Sequence, residues 1–399
     1  MAIQGLRHTN TVVQDGRPKN WRAGILMAYP NGDMPLTGLT SLFKSESTDD
    51  PEYNWWEKEM QDRRVKMTAN LTVGSTDLTV EMGAFAFKAG DVLMSEHTLE
   101  RMIVIADPVM DTKLQVVRGF ANSTPAIVTI ATQNPYVICI GSAYEEGSDA
   151  PSAVDFDPTK HNNFTQIFRN SFESTRTFRK TKLRYGDQVK EMKRECLELH
   201  GVDMERAFIF GGKSESSYKG KPRRTTGGIL SFIPQANQVD MATNYSTGLT
   251  MDGLDELMYN VFKKGSSEKM VLCGNRAALT LQQVVRKNSH MQIQSGIKEY
   301  GMNVSRLSCQ FGELVIKTHP LFNQMSGGAG YTGFESSAMI LDMAEFKYRY
   351  IDDTAYQAKQ NADGVDGEKS GYLTEAGLEV HHPSYHHLWR NLTKAAVDQ

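Results

Sequence analysis

The sequence predicts an α+β fold, and three features of the 399-residue chain carry that prediction. Residues 65–141 hold short alternating or apolar runs separated by turn signals. Residues 187–210 hold one long, heavily charged helix. Residues 226–350 alternate segments of helical period with short apolar strands. A chain of this length can bury a sizeable core and divide into two or three domains.

The elements follow in chain order. Residues 1–55 predict an extended arm, because Gly5, Gly16, Pro18, Gly24, Pro30, Gly32, Pro35 and Gly38 interrupt every helical window. Trp21, Ile25, Leu26, Met27, Tyr29, Leu36, Leu39, Leu42 and Phe43 make that arm too apolar for a disordered tail. Its side chains therefore need another surface, such as a second subunit. The runs VKMTANLTVG, TDLTVEM, AFAFKAGDVLM, RMIVIADPVM, KLQVVRGF and AIVTIATQNPYVICIG predict a compact β module. The acidic, small-residue stretch 144–158 follows as a linker.

Residues 160–212 are expected to be mainly helical. NNFTQIFRNSFEST forms an approach, RTFRKTKLRY a basic extended stretch, and Gly186–Gly212 the long helix with Asp187 as N-cap. Val189, Met192, Cys196 and Leu199 recur at three, four and three residues and form one narrow stripe. Charged residues fill the other faces, so the helix should cross a sheet with much of its surface facing solvent or a neighbour. KSESSYKGKPRRTTGG, 213–228, predicts an exposed basic loop. LTMDGLDELMYNVFKKG places Leu254, Leu257, Met258, Val261 and Phe262 on one helical face, with Gly265 as its stop. EKMVLCG is a buried strand, Asn275 caps the next helix, and ELVIKTH, SAMILDM and EFKYRYI are further strands. Ser326–Gly333 is a glycine-rich loop, and a polar loop over 352–375 precedes a last strand, GLEVHH.

Composition limits the function. A net charge of −3 does not suit a chain devoted to holding nucleic acid. The four dispersed cysteines form no zinc spacing and suit reduced, mostly buried thiols. The N-terminus has no apolar signal core, and no run approaches the ~20 apolar residues of a membrane span. The chain reads as a soluble protein of a reducing cytoplasm. Charge is segregated: seven acids against two bases over 45–63, nine bases against three acids over 169–194, and five bases against Glu215 over 213–224. Segments of opposite sign gain register and a faster encounter when they meet between subunits. The contact set expected from this is Tyr53, Trp55, Trp56, Glu57 and Glu59 against Arg176, Arg179, Lys180, Lys182 and Arg184.

Candidate chemistry fails on inspection. Gly211-Gly212-Lys213-Ser214 lacks the upstream glycine of a phosphate loop, since Ala207 stands there, and it follows a helix instead of opening one. His381, His382, His386 and His387 are separated by Pro383, and adjacent strand residues point to opposite faces. Asp363 and Asp366 lie in a turn without the distal glutamate of a calcium loop. The pairs Asp49/Asp50 and Asp352/Asp353 sit in polar surroundings, without the low-dielectric pocket that a general acid needs. No catalytic, cofactor-binding or metal residue is indicated, and no cofactor is expected.

Long strings then carry a resemblance: YPNGDMPLTGLTSLFKSESTDDPEYNWWEKEM (29–60), GDQVKEMKRECLELHGVDMERAFIFGG (186–212), RTTGGI (224–229) and GYLTEAGLEVHHP (371–383). With the order of parts, they resemble a tailed-bacteriophage major capsid protein of Hong Kong 97-like fold, a fold shared with encapsulins. The resemblance implies an N-arm over 1–55 and an enlarged extended loop over 56–150. It implies a peripheral domain over 151–225 with its spine helix, completed by 335–399, and an axial domain over 226–334. It further implies hexamers and pentamers in an icosahedral head, assembled in the host bacterial cytoplasm and present in the virion. Packaged double-stranded DNA would be held without sequence-specific binding and without a membrane, and portal and scaffold proteins would be partners. With no scaffolding segment before the arm, the scaffold is expected to be either a separate protein, which Met1 favours, or a segment removed from a longer precursor. Two rivals remain open from the residues alone. One is an encapsulin-type compartment shell, and the other is a cytoplasmic α/β enzyme with a β accessory domain.

Overall fold

The structure, a computed structural model, describes residues 44–59, 62–130, 135–181, 187–288, 294–299, 302–325, 333–361 and 364–394. Most of the expected arm, Lys182, Arg184, and the glycine-rich loop from Ser326 to Tyr331 lie outside them.

In chain order the strands begin with β1 (Lys44–Ser47) and β2 (Glu52–Glu57). Then come β3 (Arg64–Lys66), β4 (Asp77–Thr79), β5 (Asp91–Ser95), β6 (Arg101–Met110), β7 (Lys113–Arg118) and β8 (Tyr136–Ser142). They are followed by β9 (Thr159–Phe164), β10 (Gln166–Thr175), α1 (Arg176–Lys180), α2 (Gln188–Phe210), β11 (Ser214–Tyr218) and β12 (Lys221–Thr225). Next are α3 (Ile229–Phe232), β13 (Gln238–Asp240), α4 (Met241–Asn244), α5 (Met251–Phe262), β14 (Glu268–Cys273) and α6 (Asn275–Asn288). The chain continues through β15 (Gln294–Glu299), β16 (Met302–Ser308), β17 (Glu313–Thr318) and α7 (Pro320–Gln324). It ends with β18 (Ala338–Leu341), β19 (Phe346–Gln357), β20 (Gly367–Val380) and β21 (His387–Arg390). This is the strand-rich α+β architecture that the sequence predicts.

Two compact units result: Trp56–Lys160, and the chain before and after it. The inserted unit is a six-stranded sheet in the order β3-β8-β5-β6-β7-β4. Met67, Leu78, Leu93, Met102, Leu114, Val116 and Val137 fill its core with no exposed surface. Alternation along β7, where Leu114 and Val116 point in and Lys113, Gln115 and Val117 do not, is the two-residue period of a half-buried strand. Inside this unit Arg118 reaches the buried carboxylate of Glu100, which also accepts the Ala126 amide at 3.1 Å.

The other unit holds a four-stranded sheet, β1-β19-β20-β10, and a seven-stranded sheet, β13-β21-β18-β14-β17-β16-β15. β14 is buried on both faces. Met270 and Leu272 join one core with Phe208 and Leu378, while Val271 and Cys273 join another with Leu257 and Leu281. A continuous apolar run is what a strand covered on both faces requires. The stripe of α5 is as expected, with Leu254, Leu257, Met258 and Val261 buried and Gly265 at φ +89° beyond it.

Several expectations are corrected. Residues 159–175 are strands, not helix. β10 pairs antiparallel with β20 from Gln166↔Ala376 to Thr175↔Gly367, which buries Phe168 and satisfies the backbone through a ladder. The basic stretch is not extended at its start. Thr175 accepts the Phe178 amide at 3.3 Å and caps the short α1. The polar loop over 352–375 is largely the two arms of a hairpin, β19 and β20, held by backbone pairing as far as Gln357↔Gly371. Asn275 is not the cap of α6: the Gly274 carbonyl accepts from Ala278, and the Asn275 amide donates to Asn323 Oδ1 at 2.7 Å. The basic loop after α2 is a two-stranded hairpin, β11–β12.

Candidate assembly surfaces

α2 organises the larger unit. It lies across β10 and β20, and its buried side runs Cys196, His200, Met204, Phe208, in steps of four, with Glu205 and Ile209 beside it. Cys196 is buried as expected, and Val189 and Met192 are half-buried. Leu199 is 60 % exposed and does not belong to the seam. The stripe continues through His200 instead, one position further round, because a polar side chain there can pair with the sheet. His200 Nδ1 lies 2.8 Å from Asn170 Oδ1 and Nε2 lies 2.7 Å from Thr374 Oγ1. Burial lowers the His200 pKa, against the pull of Asp203.

Two further polar groups are fixed under the helix. Glu205 and His319 have no exposed side-chain surface, and His319 Nε2 lies 2.8 Å from Glu205 Oε1. His319 Nδ1 accepts the Leu321 amide at 3.2 Å. That acceptor role assigns the ring proton to Nε2, which donates to the carboxylate. The pair thus ties α2 to the start of α7. Sequence periodicity missed both residues because a charged residue ranks as surface until its partner is known.

The end of the arm is held within its own subunit. β1 pairs parallel with β19, and Glu46 lies 2.9 Å from Arg349 and 3.7 Å from Lys347. Arg349 is shared with the buried Glu379. Burial raises the Glu379 pKa, but hydrogen bonds from His381 and Arg349 outweigh it and the net shift is downward. Tyr53 and Trp55 are 5 % and 6 % exposed, so the expectation that they gain their burial between subunits is corrected. The Tyr53 hydroxyl donates to the Leu378 carbonyl at 3.0 Å, and burial raises its pKa. Trp55 packs among Tyr53, His161, Phe232 and His381 at 6.0–6.2 Å between centroids. A strand that alternates at this position aims both rings at β20 and α3. Trp56, next in line, is 64 % exposed, Glu57 is half-buried and Glu59 is exposed.

The expected basic contacts also have partners in their own chain. Arg176 lies 3.0 Å from Asp366, and Arg179 pairs with Glu368. Lys180 is exposed. The structure therefore brings Arg176 and Arg179 to the tip of the β19–β20 hairpin and not to residues 46–62.

The glycines of the near-phosphate loop serve packing. The Gly228 amide donates to the Gly211 carbonyl at 2.8 Å, and a Cβ on Gly211 would stand 2.3 Å from the Ala207 carbonyl oxygen. Lys213 instead donates to the Asn162 carbonyl at 3.0 Å. The four histidines do not converge. His386 Nδ1 accepts the Asp342 amide at 3.3 Å and its Nε2 donates to the His381 carbonyl at 3.2 Å, while His382 stacks on Tyr385. Among the described residues no group of three His, Cys, Asp or Glu is placed to hold a metal ion.

Burial pushes His386 and His387 down to about 4 from 6.5. The unfolded chain therefore binds protons that the folded subunit refuses, and the stability these residues supply above pH 6.5 is lost as pH falls toward 4. Thermal unfolding should decline across that window. A His386→Asn/His387→Asn variant, whatever its absolute stability, should show a shallower decline, and an equally steep one would refute the assignment.

The SU10 major capsid protein family matches residues 7–393. A curated relative, the major capsid protein of Pseudomonas phage PaMx41, is 28 % identical over 375 residues, which are 92 % of this chain and 87 % of the relative. The capsid of Myoviridae phage XM1 aligns over 98 % of this chain and 100 % of its own, with 8 % identity and a TM-score of 0.46. The holo-SrpI encapsulin complex of Synechococcus elongatus PCC 7942 aligns over 62 % and 81 %, with 12 % identity and a TM-score of 0.43.

Proposed function

The chain belongs to the SU10 major capsid protein family, and from that premise we propose that its copies form the hexamers and pentamers of an icosahedral phage head around double-stranded DNA. It is a phage major capsid protein, and a capsid shell is built from many copies of such a subunit. The observation that carries the reading is a family match running through almost the whole chain, including both units.

On this reading the fold is Hong Kong 97-like, with α2 as the spine helix of a peripheral domain, residues 226–334 as the axial domain and Trp56–Lys160 as an enlarged extended loop. The work of the chain is assembly, with no catalysed reaction, and a portal and a scaffold join it in the host cytoplasm. The functional test is the content of particles purified from the native host. Nuclease-protected double-stranded DNA supports the reading, and a protein cargo without DNA would favour a compartment shell.

We retain one inter-subunit contact in corrected form. Trp56, Glu57 and Glu59 remain the candidate acidic side, facing the basic run 176–194 of a neighbour. Exposed pairs contribute only about 0–1 kcal/mol each, so Trp56 should supply most of the burial. Glu57→Lys/Glu59→Lys should slow shell formation and make its rate more salt-dependent. Assembly rates identical to wild type across ionic strength would remove this contact.

A further inference from the structure

The β11–β12 hairpin has no core of its own. All five residues of β11 are exposed, as are Lys221, Pro222 and Arg223 of β12. Lys219 and Gly220 form the turn at φ +52° and +73°, the backbone of a tight two-residue connection. An isolated two-stranded hairpin is marginally stable in water, so this one would be ordered further by a partner.

The register sorts its side chains. Opposed residues share a face, which puts Tyr218 opposite Lys221 and Ser216 opposite Arg223. The hairpin's acid, Glu215, stands opposite Arg224 on the other face and pairs with it at 2.9 Å. One face therefore carries Tyr218, Lys221 and Arg223 without a carboxylate of the hairpin, and Lys219 extends it at the turn. Lys219 and Arg223 lie 5.4 and 5.9 Å from the Tyr218 ring, which is 58 % exposed. The hairpin also walls a cleft of about 430 Å³ with Thr165 and with Gln166 and Ile167 of β10. The carboxylate in that wall, Glu375, already accepts a hydrogen bond from Thr165.

We propose that this face of the β11–β12 hairpin is a sequence-independent contact for the phosphate backbone of double-stranded DNA. Lys221 and Arg223 are two residues apart on one strand, about 6.8 Å, a separation of the same order as the charge spacing of a DNA strand, about 3.4 Å per phosphate when projected on the helix axis. Lysine, arginine and tyrosine hydroxyl groups are all donors to phosphate oxygens. No base-reading element accompanies them, so the contact carries no sequence preference. Three cations neutralise about three phosphates, giving a slope of about −2.7 in log K against log salt. The affinity would then fall about 40-fold between 50 and 200 mM salt. Such a contact can hold DNA loosely and release it, which suits a shell that must be filled. The biological occupant rests on the DNA-enclosing reading above, whereas the surface chemistry stands without it.

The test measures binding of a mixed-sequence duplex to the full-length protein at several salt concentrations. Lys221→Ala/Arg223→Ala should reduce the slope to about −0.9, leaving about a 3.5-fold change over the same range. Lys221→Arg/Arg223→Lys should retain the wild-type slope, and Lys263→Ala, an exposed cation at the end of α5, should leave it unchanged. Thermal unfolding of each variant controls for the fold. A slope unaffected by the Ala pair overturns the proposal. So does a pair that blocks shell closure with duplex affinity unchanged, because the face would then join copies of the chain. Failure of the wild-type protein to close shells would count against the capsid reading and leave the slope comparison intact.

Discussion

Phe208→Ala is expected to lower the unfolding free energy by about 3–5 kcal/mol and to leave little soluble subunit. Phe208 has no exposed surface and lies edge-on to Phe168 at 6.0 Å and to Tyr348 at 6.2 Å. It therefore joins α2 to β10 and β19 at the point where the helix seats on the sheet. Truncation removes an aromatic pair on each side and opens a cavity that strands on one side and a helix on the other cannot close. A domain is stable by only 5–15 kcal/mol, so this single change uses a large part of the margin. Leu199→Asp on the same helix is the control. Its side chain is 60 % exposed, and unfolding should change by no more than about 0.5 kcal/mol. Chemical denaturation of both variants tests the seam. Comparable losses would mean that α2 is enclosed on every side.

Lys269→Ala is expected to cost about as much, roughly 3–5 kcal/mol, for a different reason. Lys269 is 1 % exposed, and its ammonium donates to the carbonyls of Val261 at 2.8 Å, Lys264 at 2.8 Å and Tyr385 at 2.9 Å. All three protons are used, two of them on carbonyls at and just beyond the C-terminus of α5, where a cation is favoured. Alanine strands those carbonyls and leaves a void. Lys269→Met fills the void and should recover part of the loss. The same residue gives a signature in pH. Burial pushes its pKa down to about 8 from 10.5, with Asp342 opposing the shift. Between those values the folded subunit has released a proton that the unfolded chain keeps, so this group adds stability as pH rises from about 8 to 10.5. Denaturation at pH 7.5 and 9.5 should show wild type gaining on Lys269→Met, and a constant difference would refute the shift.

Sequence periodicity carries part of this fold and stops at residues such as Lys269. The β module, the stripe of α5 and the apolar β14 were legible because burial there follows one residue period and one chemistry. Lys269 was not, since a lysine in an apolar strand looks outward until three carbonyls are found around it. His200 and Glu205 failed for the same reason, and their omission displaced the α2 seam to Leu199. Steps of four from Met192 through Cys196 reach His200, a polar residue that apolar periodicity alone does not count. The helix expected over 160–175 gives way to two strands, and the mixed pattern of β10 acquires meaning only from β20, some 200 positions away. The long β19–β20 hairpin hid in polar sequence because backbone pairing joins an exposed β19 arm, Asp352–Tyr356, to a β20 arm that buries the polar side chains of Ser370 and Thr374. Tyr53 and Trp55 need cover on any reading of the sequence, but nothing local says whether the cover comes from the same chain or another.

As a phage major capsid protein, this subunit builds a shell with copies of itself. Negative-stain electron microscopy of the purified full-length protein, with and without co-expressed scaffold, tests it most directly. Closed particles of uniform diameter bearing hexameric and pentameric clusters are expected. A folded protein that stays monomeric under both conditions, with no particles in any field, would contradict it.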